Sequence, residues 1–132
     1  MLDIIKTIEA LPDMMRLKSA SDADIQNAEN ELGLKFAEEY KAYLAHFGAI
    51  LADGIELSGI AKSKTRHVVS LTQQEREIKK DVPQNLYVVE NTGIEGLVTW
   101  QDENGSIYRT VPNTGVTKIA YSLEEYIQGK RQ

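Results

Sequence analysis

Apolar residues recur at helical spacing through the first third of the chain. In the last third they fall in short runs between turn-forming residues. Leu2, Ile5, Ile8 and Leu11 predict an amphipathic helix over residues 2–10, ended by Pro12. Ser21-Asp22-Ala23-Asp24 is a helix start, with Ser21 as N-cap and Asp24 as the carboxylate of a capping box. Ile25, Ala28 and Leu32 make one stripe, and Gly33 supplies a left-handed stop. After the connectors Leu34 and Phe36, a third helix is expected from Ala37 to Phe47. It buries Tyr40, Tyr43, Leu44 and Phe47 and turns Glu38, Glu39 and Lys41 to water. Gly48 ends it.

The middle of the chain is less regular. Ala49-Ile50-Leu51 and Ile55-Glu56-Leu57 flank Asp53-Gly54, a hairpin signal. Arg66 to Leu71 has the composition of a short strand. Ser70 or Thr72 then caps a polar helix through Gln73 to Lys79, whose one large apolar residue before Val82 is Ile78. Such a helix is expected to pack weakly. Pro83 closes it.

From Leu86 onward the pattern is that of a meander. Strands are expected at 86–90, 96–101, 107–111 and 116–121, with turns at Asn91-Thr92-Gly93, Asp102-Glu103-Asn104-Gly105 and Asn113-Thr114-Gly115. Ser122-Leu123-Glu124-Glu125 is a second capping box, opening a helix with Leu123, Tyr126 and Ile127 inward and a fraying tail at 128–132. Helices, then a meander, then a helix give an α+β fold: N-terminal helices packed on an antiparallel sheet, with a C-terminal helix. At 132 residues this is one domain, 1–132.

Composition narrows the function. The net charge of -5 argues against nucleic acid as a partner, because phosphate contacts need clustered lysine and arginine. Without cysteine there is no disulfide, thiolate metal site or cysteine nucleophile. No apolar run is long enough to span a bilayer, and Met1 to Lys6 lacks the marks of a secretory signal, so a cytoplasmic location is expected and no membrane partner.

Catalytic motifs fail on spacing. Gly54 to Gly59 followed by Lys62-Ser63 imitates a phosphate-binding loop, but Ile60 and Ala61 separate the second glycine from the lysine. His46 and His67 are the only histidines. They are too few for a metal centre, and His46 is placed to complement a helix C-terminus. There is no nucleophile elbow. Glu38-Glu39, Glu75-Glu77, Asp102-Glu103 and Glu124-Glu125 read as helix faces, a turn and a cap. Tyr87, Trp100 and Tyr108 fall on strands, where packing is their default role and a binding surface the alternative. No catalytic, metal or cofactor-binding residue is assigned.

The second and third helices carry a resemblance. Ile25, Ala28, Glu29, Leu32 and Gly33, then Tyr40, Lys41, Tyr43, Leu44 and Gly48, resemble the helix pair of the SUKH superfamily, of the Smi/Knr type. The later strands and the closing Ser122 to Ile127 segment are similar too, in particular to bacterial YobK-like members. The likeness spans roughly residues 20–128. Ala37 departs from the family's proline, and Ala49 from its second glycine. The resemblance implies an immunity protein that binds and neutralises a cognate polymorphic toxin domain, often a nuclease, by stoichiometric contact. An acidic surface fits the basic cleft of such a nuclease. The alternatives are a non-enzymatic adaptor, and a small enzyme or ligand-binding protein built on His46 or His67. The expected contact surface is Glu90, Glu95, Trp100, Asp102, Glu103 and Tyr108, around the exposed turns of the meander. The expected assembly is a monomer, or a weak homodimer through an open strand edge.

Overall fold

The first helices form where the apolar spacing puts them. The computed structural model describes residues 4–52, 54–113 and 115–130. Leu2, Asp53, Thr114 and the last two residues, which figure in the expectations above, lie outside the described residues. Helix α1 (Ile4–Glu9) buries Ile4 and Ile8. Helix α2 (Asp22–Leu32) opens on the expected capping box: Asp24 N donates to Ser21 Oγ at 3.1 Å, and Ser21 N to Asp24 Oδ2 at 3.3 Å. It closes on Gly33 in the left-handed region at φ 68°. Helix α3 (Glu38–Phe47) buries Tyr40, Tyr43, Leu44 and Phe47, as the periodicity requires. It also buries Glu39, which was expected in water.

The chain after α1 adds a strand that the sequence pattern did not predict. Strand β1 (Met15–Arg16) pairs antiparallel with β2 (Ile50–Ala52), which forms the expected hairpin with β3 (Ile55–Glu56). The segment from Arg66 to Leu71 is not a strand. His67 is the N-cap of helix α4 (Val68–Ile78), so the valines and Leu71 belong to its first turn. Val68, Leu71, Thr72 and Glu75 then stand at i, i+3, i+4 and i+7 and are all buried. The helix is not weakly packed. Val88 N donates to Thr72 Oγ1 at 2.9 Å, and Arg76 donates to the Leu32 and Gln84 carbonyls.

The meander is present, with slightly shorter strands. Strands β4 (Tyr87–Asn91), β5 (Val98–Gln101), β6 (Ile107–Thr110) and β7 (Thr117–Ala120) lie in that order, all antiparallel. A register shift between Val88 and Glu90 marks a bulge. Beside it, Leu57 bridges Glu90, and Ser58 N donates to the Val89 carbonyl at 2.8 Å, joining the small sheet to the large one. Helix α5 (Leu123–Lys130) closes the fold and holds its helical form through Lys130, where fraying was expected.

The main core lies between α1, α2, α3, α5 and one face of the meander, and includes Phe36, Tyr40, Tyr43, Tyr87, Val89 and Ile107. A smaller core covers the other face: Leu71, Val82, Leu86, Val88, Val98 and Trp100. The meander is therefore apolar on both sides. No described helix is long and apolar enough to cross a membrane.

Candidate interaction surface

The structure divides the six residues expected to make contact. Trp100 is wholly buried in the smaller core, its indole Nε1 donating to Thr110 Oγ1 at 3.0 Å. Glu90 is 3% exposed. Its carboxylate accepts from Glu56 N at 2.7 Å, Lys130 Nζ at 2.5 Å and the Tyr126 hydroxyl. Asp102 is also buried, and organises the β5–β6 turn by accepting from Asn104 N and Ser106 N, each at 3.0 Å, and from the Tyr108 hydroxyl at 2.8 Å. That last bond is the main reason the Tyr108 pKa is raised, with burial second. The second core covers Trp100, and the β5–β6 turn closes over Asp102. Glu90, beside the bulge, shows only its edge to a small cleft that it lines with Glu95. Glu95 and Glu103 are exposed, Tyr108 half-buried. The two glutamates flank opposite ends of β5 and do not form one patch.

The buried ionisable groups are occupied by structure. Glu39 on α3 accepts from Leu123 N at 2.6 Å and Glu124 N at 3.0 Å, the first free amides of α5, and from Gln101 Nε2 at 3.0 Å. Ser122 Oγ takes the Glu125 amide at 3.0 Å, as the second capping box requires. The return bond differs, however: Glu125 Oε1 accepts from Tyr121 N, not Ser122 N. A carboxylate 84 residues away thus completes the cap of the last helix. Glu75 holds Lys79 and Asn91. The hydroxyls of Tyr40, Tyr43 and Tyr87 reach Ser58, the Ser58 carbonyl and Gln101. Burial, first of all, pushes the pKa of each of these tyrosines well above its usual value. Sequence periodicity gave no signal for Glu39, whose partners come from β5 and α5.

Neither histidine sits with an acid in a closed pocket. His46 Nε2 lies 3.7 Å from Glu9 Oε2, with both side chains about half exposed. Its ring meets Phe47 edge-on at 4.6 Å. His67 Nδ1 accepts the Ala61 amide at 3.2 Å and so shapes the loop before α4.

That loop forms one wall of a groove of about 840 Å³, with residues 17–21 and Asp24 opposite. Its two walls are tied together where three backbone segments meet without side chains between them. A Cβ on Gly48 would stand 2.1 Å from the Lys18 carbonyl oxygen, and its φ of 76° already disfavours any other residue. A Cβ on Gly59 would stand 1.9 Å from the Gly48 carbonyl oxygen. Ile60 N donates to that same oxygen at 3.0 Å, and Leu17 N to the Ala49 carbonyl at 2.9 Å. Leu17, Ala20, Ile60 and Ala61 give the groove apolar lining, and Lys18, Lys62 and Arg66 give it positive charge.

No curated protein matches the chain. The family profile described as SMI1-KNR4 cell-wall, SUKH_5, matches residues 1–130. That span takes in the capped helix pair, both sheets and the Glu39-tethered last helix, and the chain belongs to this SUKH family of the Smi/Knr type.

Proposed function

We propose that the protein neutralises a cognate toxin domain by stoichiometric binding, as a YobK-like bacterial immunity protein acting in the cytoplasm. It works by covering its target, not by catalysis. The observation that carries this reading is the SUKH match over residues 1–130. The interior supports it. Glu39, Glu75, Glu90 and Asp102 are each spent on amides, hydroxyls, side-chain amides or lysine within the fold. Carboxylates held in this way stabilise a scaffold, and the one of them that lines a cleft, Glu90, is already engaged there by Tyr126 and Lys130. The test is co-expression with the toxin encoded by the neighbouring gene. Growth should be rescued, and size-exclusion chromatography should show a one-to-one complex. Failure to bind any toxin encoded beside it overturns the reading.

A further inference from the structure

The charge of this chain is unevenly placed. Residues 14–21 and 59–67 hold five of its 15 lysines and arginines and none of its 20 acidic residues. The remainder therefore carries ten basic residues against 20 acidic ones. The fold brings these two distant segments together as the walls of the groove. Among the described residues, Lys18 and Lys62 have no acidic partner, and both are exposed. Arg66 donates from Nη2 to the Ile50 carbonyl at 2.8 Å, while its Nε has no partner among the described residues. Asp24, the one acid in the lining, accepts the Ser21 amide in the α2 cap.

The apolar surface continues past the groove. Leu17 lines it, and Met15 and Leu51, cross-strand neighbours on β1 and β2, lie beyond. Met15 is 65% exposed, and Leu17 and Leu51 37% each. Contiguous apolar exposure with a charged rim is the anatomy of a protein contact.

We infer that this groove is the docking face for an acidic, leucine-like segment of a partner protein, with Lys18, Lys62 and Arg66 pairing its carboxylates and Leu17 and Ile60 taking its apolar side chains. The apolar lining and the volume select a peptide segment over a bare anion, which would need only the cations. The positive sign selects an acidic segment against the background of an acidic molecule. The inference rests on the protein-binding reading above and moves its contact from the acidic turns to the basic groove.

Titration with a soluble peptide of alternating glutamate and leucine, followed by amide NMR, tests it. Resonances of Lys18, Ala20, Ile60, Ala61 and Lys62 should shift. The double variant K18E/K62E should bind about tenfold more weakly or worse, as expected for reversing two rim charges. Its melting temperature should be unchanged. Absence of shifts in the wild type overturns the inference. So do equal shifts with a control peptide of alternating lysine and leucine, with inorganic phosphate or with a single-stranded oligonucleotide, and so does concentration-dependent self-association through the same resonances. Toxin co-expression separates the two readings. Rescue by the wild type and not by K18E/K62E supports the groove. Rescue by both overturns the groove and leaves the immunity function standing. Rescue by neither, with the peptide shifts intact, overturns the immunity function alone.

Discussion

Glu38 and Glu39 are adjacent, identical and separated by a single helical step, yet one is solvated and the other anchors the fold. Glu38 makes a surface pair with Lys41. Glu39 takes two free amides of α5 and a side-chain amide of β5. Glu39→Gln keeps the shape but points an amide at donors. It should cost about 2–4 kcal/mol, the penalty for leaving buried donors unpaired. Denaturant unfolding measures that cost, and hydrogen exchange at Leu123 and Glu124 should accelerate with it. Glu38→Gln should be close to neutral. The glycines can be ranked in the same way. Gly33→Ala meets open space and pays only for its left-handed φ, about 1 kcal/mol. Gly59→Ala drives a methyl into the Gly48 carbonyl and should cost about 3 kcal/mol or more. Thermal melts of the two variants check the order, and equal losses would contradict the close approach of these segments.

At the level of elements, the ends of α5 matter more than its middle. Its start is held by Glu39, and its last described turn by the Lys130–Glu90 pair. Lys130→Ala leaves the Glu90 carboxylate buried with one donor fewer, and should cost about 1–3 kcal/mol. A fraying tail would show no loss, so a melt of this variant decides between the two. Helix α4 is similarly pinned, through Thr72 to the Val88 amide. Thr72→Val keeps the volume and removes the acceptor. About 1–3 kcal/mol should be lost, visible as a lower denaturant midpoint.

Across the whole molecule, the tyrosines of the main core set an alkaline limit. Burial holds the pKa of Tyr40, Tyr43 and Tyr87 above the value of about 10 found in unfolded chains. Below about pH 10 both states keep the phenolic protons, and no stability is lost on this account. Above it the unfolded chain ionises first, so stability falls as pH rises further. Circular dichroism and tyrosinate absorbance, followed together against pH, should show these tyrosines ionising only as the fold is lost. Complete ionisation with the fold intact would contradict their burial.

The chain on its own determined whatever depends on near neighbours: the Ser21–Asp24 box, the Gly33 stop, the α3 stripe, the order of the meander strands and the SUKH helix pair. These are local because caps, turns and helical stripes involve residues a few positions apart. Val68 to Leu71 went to the wrong element because a buried first helical turn and a short strand share the same apolar composition. Tertiary structure alone decided which carboxylates are inside and which face of the meander is covered a second time. Trp100 was legible as a strand residue, but not the second core that covers its face. Glu39, Glu90 and Asp102 look like ordinary surface acids until amides and hydroxyls from other elements or turns close around them. The groove is likewise invisible along the chain. Lys18 lies more than forty positions from Lys62 and Arg66, and Gly48 and Gly59 let their segments approach because, without a side chain, they leave room for backbone to meet backbone.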